Sequence, residues 1–234
     1  MLRHPSPPAT ATDARPIVLH GVWVDHDGVD ALCGVSLTVE PARITVVTGA
    51  NGSGKSTLLA VLAGLLVPRR GRVVLPVRST ALVAQRSEVT DRMPLTVHDV
   101  VSMGRWPEAG LVRRLTSGDR RIIDDCIGLV GLDGYARRPL HALSGGQRQR
   151  AFLAQGLARR ADVILLDEPT TGLDAGTRAV VADLLTAERS RGAMIVCVSH
   201  DDVVLRAADR LVRLEAGRVV SGLEAADRGA RPPQ

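Results

Sequence analysis

The run Gly-Ala-Asn-Gly-Ser-Gly-Lys-Ser at residues 49–56 has the residue types and spacing of a loop that binds phosphate groups. Its glycines let backbone N–H groups approach phosphate oxygens, and a following helix adds partial positive charge at its start. Lys55 would reach the β- and γ-phosphates of a nucleotide, and the Ser56 hydroxyl would bind Mg²⁺. A plain Gly-Ser turn is the alternative, but a β-like apolar run precedes the loop and helical spacing follows it. The predicted nucleotide-binding residues are Gly49, Ala50, Asn51, Gly52, Ser53, Gly54, Lys55, Ser56 and Thr57.

Two acids, Asp167 and Glu168, follow a second apolar run at residues 163–166. A phosphate loop needs a carboxylate that holds Mg²⁺, usually at the end of another buried strand. Asp167 would hold the metal through its water shell, and Glu168 could polarise the water that attacks the γ-phosphate. An acidic turn after a strand is the alternative for the acids alone. Together with the phosphate loop they predict hydrolysis of a nucleoside triphosphate.

A second loop with the features of an anion-binding helix start comprises Ser144, Gly145, Gly146 and Gln147. One nucleotide does not need two such loops from the same chain. A symmetric head-to-tail dimer would place this second loop against the γ-phosphate held by Lys55 of the partner subunit. A simple capped helix start is the alternative interpretation.

The elements that must position these residues follow from hydrophobic periodicity. Apolar residues alternate at residues 17–24 and 35–39, which predicts an antiparallel edge layer. Continuous apolar runs predict buried strands of a parallel central sheet at residues 44–47, 163–166 and 194–198. Helical stretches that alternate with these strands are predicted at residues 57–66, 147–159 and 177–191.

Two further segments complete the predicted layout. Strand signals are absent from about residue 86 to residue 142, where helical spacing at residues 96–103 and 120–131 predicts an inserted helical subdomain. A hairpin is predicted over residues 210–220. Residues 1–16 and 223–234 read as a disordered lead-in and a flexible tail.

Composition limits the function classes. The 234 residues are 45% hydrophobic but only 2% aromatic, which suits a core of aliphatic residues between parallel strands and helices. The net charge of +5 comes from Arg spread along the chain, so we expect no nucleic-acid partner. The apolar helical stretch at residues 58–67 is about half as long as a membrane span requires. Three isolated cysteines predict core residues rather than a disulfide framework.

These motifs, in this order, resemble the ATP-binding subunits of ABC transporters over residues 17–222. The resemblance implies an α/β fold, the P-loop NTPase core of ABC type, with a mainly parallel central sheet, an antiparallel β layer and a helical subdomain inserted at about residues 86–142. It implies that Gln85 senses Mg²⁺ and the attacking water, that His200 contacts the γ-phosphate, and that Asp174 lies at the dimer interface. The cofactors implied are ATP and Mg²⁺.

Two positions depart from the usual pattern of this family. The place of the aromatic residue that stacks on adenine falls on His26, with Trp23 nearby. An imidazole can stack on adenine. A solvated turn is the alternative, because Asp25 and Asp27 flank His26. The usual glycine before the first central strand is absent from the stretch Pro-Ala-Arg-Ile at residues 41–44, and we expect a turn without a positive φ there.

Within the family, residues 85–105 resemble the subunits of metal-ion importers, and the short connection over residues 71–85 favours the zinc type over the manganese type. The resemblance implies a homodimer on the cytoplasmic face of the membrane, working with an integral-membrane permease and an extracellular metal-binding protein. The alternatives are an exporter subunit for a drug or peptide, and a soluble ABC ATPase without a transport role.

Overall fold

Two β-sheets organise the chain in the computed structural model, which describes residues 15–77, 79–84, 94–109 and 114–224. The strands are β1 (Ile17–His26), β2 (Val29–Val39), β3 (Ile44–Thr48), β4 (Arg70–Val74), β5 (Thr80–Val83), β6 (Val163–Asp167), β7 (Met194–Val198), β8 (Arg210–Glu215) and β9 (Arg218–Glu224). The helices are α1 (Lys55–Leu62), α2 (Val97–Met103), α3 (Trp106–Ala109), α4 (Ser117–Leu129), α5 (Gly145–Ala158), α6 (Ala175–Ser190) and α7 (Asp202–Ala207).

The smaller sheet is an antiparallel layer with strand order β2-β1-β4. The predicted pairing of its first two strands is confirmed, and a two-residue turn at Asp27 and Gly28 joins them, with φ of 50° and 83°. Positive φ at both positions matches the right-handed twist of the strands. The third strand, β4, was not predicted, because its sequence Arg-Gly-Arg-Val-Val is mostly exposed and lacks apolar alternation.

The central sheet has strand order β5-β6-β7-β3-β8-β9, and all of its neighbouring pairs are parallel except the final hairpin. Strands β3, β6 and β7 are buried nearly throughout, as their continuous apolar runs predict. Because β6, β7 and β3 are neighbours and run the same way, the residues that follow them meet at one edge of the sheet.

Helices α1, α2, α4, α5 and α6 lie at the predicted places, whereas the short helices α3 and α7 were not predicted. Helix α1 ends at Leu62 instead of the expected residue 66, because Gly64 has a left-handed φ of 72°. Helices α2, α4 and α5 pack together as a helical region. Within the described ranges, no helix combines the length and apolar character of a membrane span.

Arg105 holds the helical region together. Its Nε donates to Asp119 Oδ1 on α4 at 3.0 Å, and its Nη1 donates to the carbonyl of Ala158 at the end of α5, also at 3.0 Å. Gly104 next to it lies against α5 so closely that a Cβ would collide with the carbonyl of Gln155. Hydrogen bonds from Thr116, followed by the contact with Arg105, lower the pKa of Asp119 to about 2.

The turn before β3 differs from the sequence expectation. Ala42 has a φ of 53°, so the expectation of a turn without a positive φ is wrong. The turn must carry the chain into β3, and the N–H of Ala42 is held by the carbonyl of Gly192 at 3.3 Å. A left-handed conformation at a residue with a Cβ costs about 1–2 kcal/mol.

Replacing Ala42 with Gly should therefore stabilise the fold. Glycine relieves the left-handed strain but is freer in the unfolded chain, and the net gain should be about 0.5–1 kcal/mol in the free energy of unfolding. The matched control is Ala179→Gly at an exposed position inside α6, which should destabilise the protein by about 1 kcal/mol. Denaturant unfolding of both variants measures the difference, and the same sign for the two would contradict the left-handed turn.

Candidate active site

The loop between β3 and α1 has backbone angles and backbone contacts that only glycine allows at two positions. Gly49 and Gly54 have φ of 149° and 99°, within the left-handed half of conformational space. A Cβ at Gly49 would collide with the carbonyl oxygen of Leu214 on β8, and one at Gly54 would collide with that of Ala31 on β2. The loop is thus wedged between the two sheets by contacts between backbones.

Helix α1 begins without a side-chain cap. Its cap residue is Gly54, whereas α2, α4, α5, α6 and α7 begin at capping side chains. Those five caps are Thr96, Thr116, Ser144, Asp174 and Asp201. The first N–H groups of α1 therefore face the loop, where the helix dipole also favours an anion.

Lys55 supplies the positive charge at this helix start, and it is the only lysine in the sequence. Its ammonium donates to the carbonyl oxygens of Gly49 and Ala50, both at 2.8 Å. Ser53 in the same loop has a buried hydroxyl oxygen without a hydrogen-bond partner in the described structure. A cation held over the loop, free N–H groups and a spare hydroxyl all fit the phosphates of a nucleotide.

Ser56 and Asp167, the predicted ligands of Mg²⁺, are brought together. The Ser56 hydroxyl donates to Asp167 Oδ2 at 2.8 Å, which joins the first turn of α1 to the end of β6. Both groups offer oxygen atoms, the ligands that Mg²⁺ prefers. The pair therefore fits a magnesium ion shared with the phosphates.

Glu168 and His200, the predicted catalytic residues, also meet. Glu168 Oε1 lies 3.4 Å from His200 Nε2, and the side chains are 17% and 55% exposed. Glu168 has a φ of 49° and its N–H donates to the carbonyl of Val198 on β7, so its backbone is held in a strained conformation. Burial raises the pKa of Glu168, and Asp167 adds to this, while His200 and Lys55 oppose it.

A cleft of about 740 Å³ lies between His200 and the phosphate loop. Residues 48–53 form one wall, and His200, Arg213, Glu215 and Ala216 form the others. Arg213 and Glu215 form an ion pair at this cleft. Sequence reasoning missed this pair, although its alternation in the final hairpin could have indicated that both side chains leave the same face of β8.

His26, expected at the place of the adenine-stacking residue, lies exposed at the end of β1. Its Nε2 is 3.2 Å from the hydroxyl of Thr57 in the first turn of α1, so two predicted nucleotide-binding residues are in contact. Trp23 is engaged elsewhere, since its ring lies against Gly34 and under the guanidinium of Arg218, 5.6 Å from the ring centre.

The second predicted anion-binding loop begins α5. The Ser144 hydroxyl accepts from the N–H of Gln147 at 3.3 Å, and Gln147 Oε1 accepts from the N–H of Ser144 at 3.0 Å, which is a complete capping box. A Cβ at Gly145 would meet no atom within 4 Å. Glycine at this position is therefore not required by packing within the described part of the chain.

Asp174, expected at the dimer interface, has a role within its own chain. Its two carboxylate oxygens accept hydrogen bonds from the N–H and the hydroxyl of Thr177, at 2.9 and 2.7 Å, so that it caps α6. Gln85 lies outside the described residues. Arg178, which the sequence did not single out, contacts Leu173 and Asp201.

Comparisons with known proteins show which family the chain is similar to. A model of the family described as "ABC transporter" matches residues 32–171. The manganese transport ATP-binding protein MntA of Synechocystis is 41% identical over 195 residues, covering 79% of this chain and 75% of that protein. The hemin import ATP-binding protein HmuV of Rhodococcus jostii is 38% identical over 234 residues, covering 95% and 80%.

Solved structures show the same fold. An inward-facing transporter of metal-chelate type has a TM-score of 0.78 at 27% identity, covering 90% of this chain and 83% of that one. A dimeric bacterial ABC transporter cassette has a TM-score of 0.75 at 27% identity, covering 89% and 98%. The predicted fold class is confirmed.

The single lysine allows a direct test of the phosphate loop. A lysine-reactive acylating reagent should label one side chain per protein, Lys55, besides the terminal amine. Saturating MgATP should slow this labelling by about tenfold or more, because the ammonium would then bind phosphate oxygens. Mass spectrometry of the labelled peptide measures the rate. The variant Lys55→Arg is the control and should show only terminal labelling. A rate at Lys55 that ATP leaves unchanged would contradict the assignment.

Proposed function

The chain belongs to the family of ABC transporter ATP-binding proteins, and from this membership we propose that two copies close around ATP and drive the import of a metal through a separate membrane permease. ATP hydrolysis coupled to transport is the activity of this family. Dimers are known among its solved structures. The observation that carries the proposal is the uncapped start of α1 with Lys55 over it, beside the Ser56–Asp167 and Glu168–His200 pairs.

The roles of the residues follow from their chemistry. Lys55 and the N–H groups of the loop hold the phosphates, and Ser53 offers a further hydroxyl. Mg²⁺, held by Ser56 and Asp167 with Gln85 as the expected third group, would withdraw negative charge from the β- and γ-phosphates. Glu168 accepts a proton from the attacking water, a role that its raised pKa suits.

His200 orients this reaction. Its Nε2 contacts the Glu168 carboxylate while its ring remains more than half exposed toward the cleft. The imidazole can therefore donate to Glu168 or turn toward the γ-phosphate, since either needs only a change of side-chain rotamer. We infer that the second contact forms when the nucleotide is bound.

The site is completed by the second copy. In the described chain, Gly145 has open space around it and ordinary backbone geometry, yet glycine in the first turn of a helix costs stability. This cost is understandable if a partner's nucleotide approaches the helix start that Ser144 caps. Like α1, the start of α5 favours an anion through its dipole. Asp174 would meet the partner while its carboxylate caps α6.

The proposed cargo is a transition metal, with manganese ahead of zinc. The short connection over residues 71–85 favours zinc, but neither relative described above is named for zinc, and the one at 41% identity is named for manganese. Closure of the dimer would act on the permease through the helical region, and hydrolysis would then reset the dimer. The chain would thus work at the cytoplasmic face, with an extracellular protein that delivers the metal to the permease.

A metal chelate is the second candidate cargo. The hemin import relative covers 95% of this chain, and a structural relative is described as metal-chelate type. The ATPase subunit touches no cargo in this scheme, so its own residues do not discriminate between a free ion and a chelate. The whole complex, which includes the binding protein, distinguishes the two cargoes.

Reconstitution of the ATPase with its permease and binding protein in lipid vesicles tests this function. We expect ATP hydrolysis to rise several-fold with binding protein loaded with Mn²⁺, and less with the Zn²⁺- or hemin-loaded forms. Glu168→Gln should keep ATP binding but lower turnover by at least about 100-fold, because the general base is lost.

The matched control is Glu215→Gln, which removes a carboxylate from the cleft that His200 lines and leaves the Glu168–His200 contact in place. It should leave turnover within about twofold, because its carboxylate belongs to an exposed ion pair. Full activity of Glu168→Gln would remove Glu168 from its role. Indifference to all three loaded forms would defeat the import of metals.

A further inference from the structure

Arg178, on the first turn of α6, connects two loops that the proposed function treats separately. One is the loop 172–174 at the expected dimer interface, and the other carries His200. We propose that Arg178 is a positioning residue that makes these loops move together, so that docking of the partner sets the Glu168–His200 pair. This inference rests on the proposed function, since it assigns His200 and Glu168 to hydrolysis.

The contacts on the interface side are made by the backbone and by packing. Arg178 Nε donates to the carbonyl oxygen of Leu173 at 2.9 Å. The Leu173 side chain is buried and lies beside Gly146, where a Cβ would be 3.5 Å from Leu173 Cδ2. Arg178 is thereby linked, through one residue, to the helix start that would face the partner's nucleotide.

The contacts on the catalytic side fix the backbone around His200. Arg178 Nη1 lies 3.4 Å from Asp201 Oδ2, and Asp201 is only 12% exposed. The N–H of Asp201 donates to the hydroxyl of Ser199 at 3.1 Å, and its Oδ1 accepts from the N–H of Val203 at 2.9 Å. The residues on both sides of His200 are therefore held, while its ring stays free to reach Glu168.

The guanidinium is suited to this task. It is planar and rigid, so its Nε can bind one group while an Nη binds another in a fixed relative position. A lysine ammonium has the charge but lacks this fork, and it could not hold the carbonyl and the carboxylate in the same geometry. Arg178 is 45% exposed, so its ion pair should add little to the stability of the fold.

The same helix provides a matched control. Arg189, near the other end of α6, donates to Asp209 at 3.0 Å with comparable exposure of 32%. Arg178 pairs with Asp201 in the loop that follows β7, and Arg189 pairs with Asp209, which follows α7. Only Arg178 also donates a hydrogen bond to the loop 172–174. Both variants therefore lose an ion pair, but only Arg178→Gln also loses the link between the two loops.

The test compares Arg178→Gln with Arg189→Gln in the full-length chain. For Arg178→Gln we expect kcat for ATP hydrolysis to fall about tenfold, because a catalytic group displaced by a fraction of an ångström loses its alignment. The KM for ATP should stay within about twofold, since the phosphate loop is untouched. The Hill coefficient for ATP should also fall toward one. Arg189→Gln should keep all three values.

Two further variants, together with melting temperatures, distinguish the loss of the positioning contact from a loss of folding. Asp201→Asn keeps a capping side chain on α7 but removes the charge that pairs with Arg178, and it should reproduce the loss of kcat. Arg178→Lys should not restore it. Melting temperatures within about 2 °C of wild type are expected for Arg178→Gln and Asp201→Asn, because an exposed ion pair contributes little.

Unchanged kcat in Arg178→Gln and Asp201→Asn would overturn the inference, as would a rise in KM without a change in kcat. Glu168→Gln and His200→Ala, measured alongside, separate a failure of the positioning role from a failure of the proposed function. If these two lose turnover while the Arg178 variants do not, only the positioning role fails. If these two retain turnover, the proposed function of the site fails first.

Discussion

The uncapped amino end of α1 is the constraint on which the site depends. Five other helices satisfy their first N–H groups with a capping side chain, but α1 starts at Gly54, which has none. The loop before it cannot relax, because backbone carbonyls of Leu214 and Ala31 occupy the places where side chains of Gly49 and Gly54 would be. Such a helix start favours an anion, and Lys55 adds the charge to bind it.

Parallel strand order explains how distant residues reach this loop. The phosphate loop follows β3, the two acids lie at the end of β6, and the histidine follows β7. These strands are neighbours in the central sheet, so residues more than 100 positions apart meet at one edge. Backbone strain accompanies this convergence, since Glu168 is held with a positive φ by a hydrogen bond to β7. Burial of Glu168 also raises its pKa, so the fold both positions this carboxylate and makes it a stronger base.

Much of this could be predicted from the sequence, because buried parallel strands and phosphate loops have strong local signals. Strand β4 could not, since its charged residues pair with β1 only in the folded chain. Ala42 was misjudged because a left-handed φ at alanine is imposed by the route of the chain into β3. The capping role of Asp174 and the contacts of Arg178 depend on which loops pack together, which spacing does not reveal.

The central claim is that each site combines the phosphate loop of one copy with the α5 start of the other, and mixing two inactive variants tests it. Lys55→Ala disables the loop, and Gly145→Asp, which packing in the chain should tolerate, places a carboxylate at the helix start. Gly118→Asp in the first turn of α4 is the control and should stay active. Single-turnover ATP hydrolysis by an equal mixture should recover to about a quarter of wild type, since half of the dimers hold one intact site. A mixture that exchanges subunits yet stays inactive would contradict the shared site.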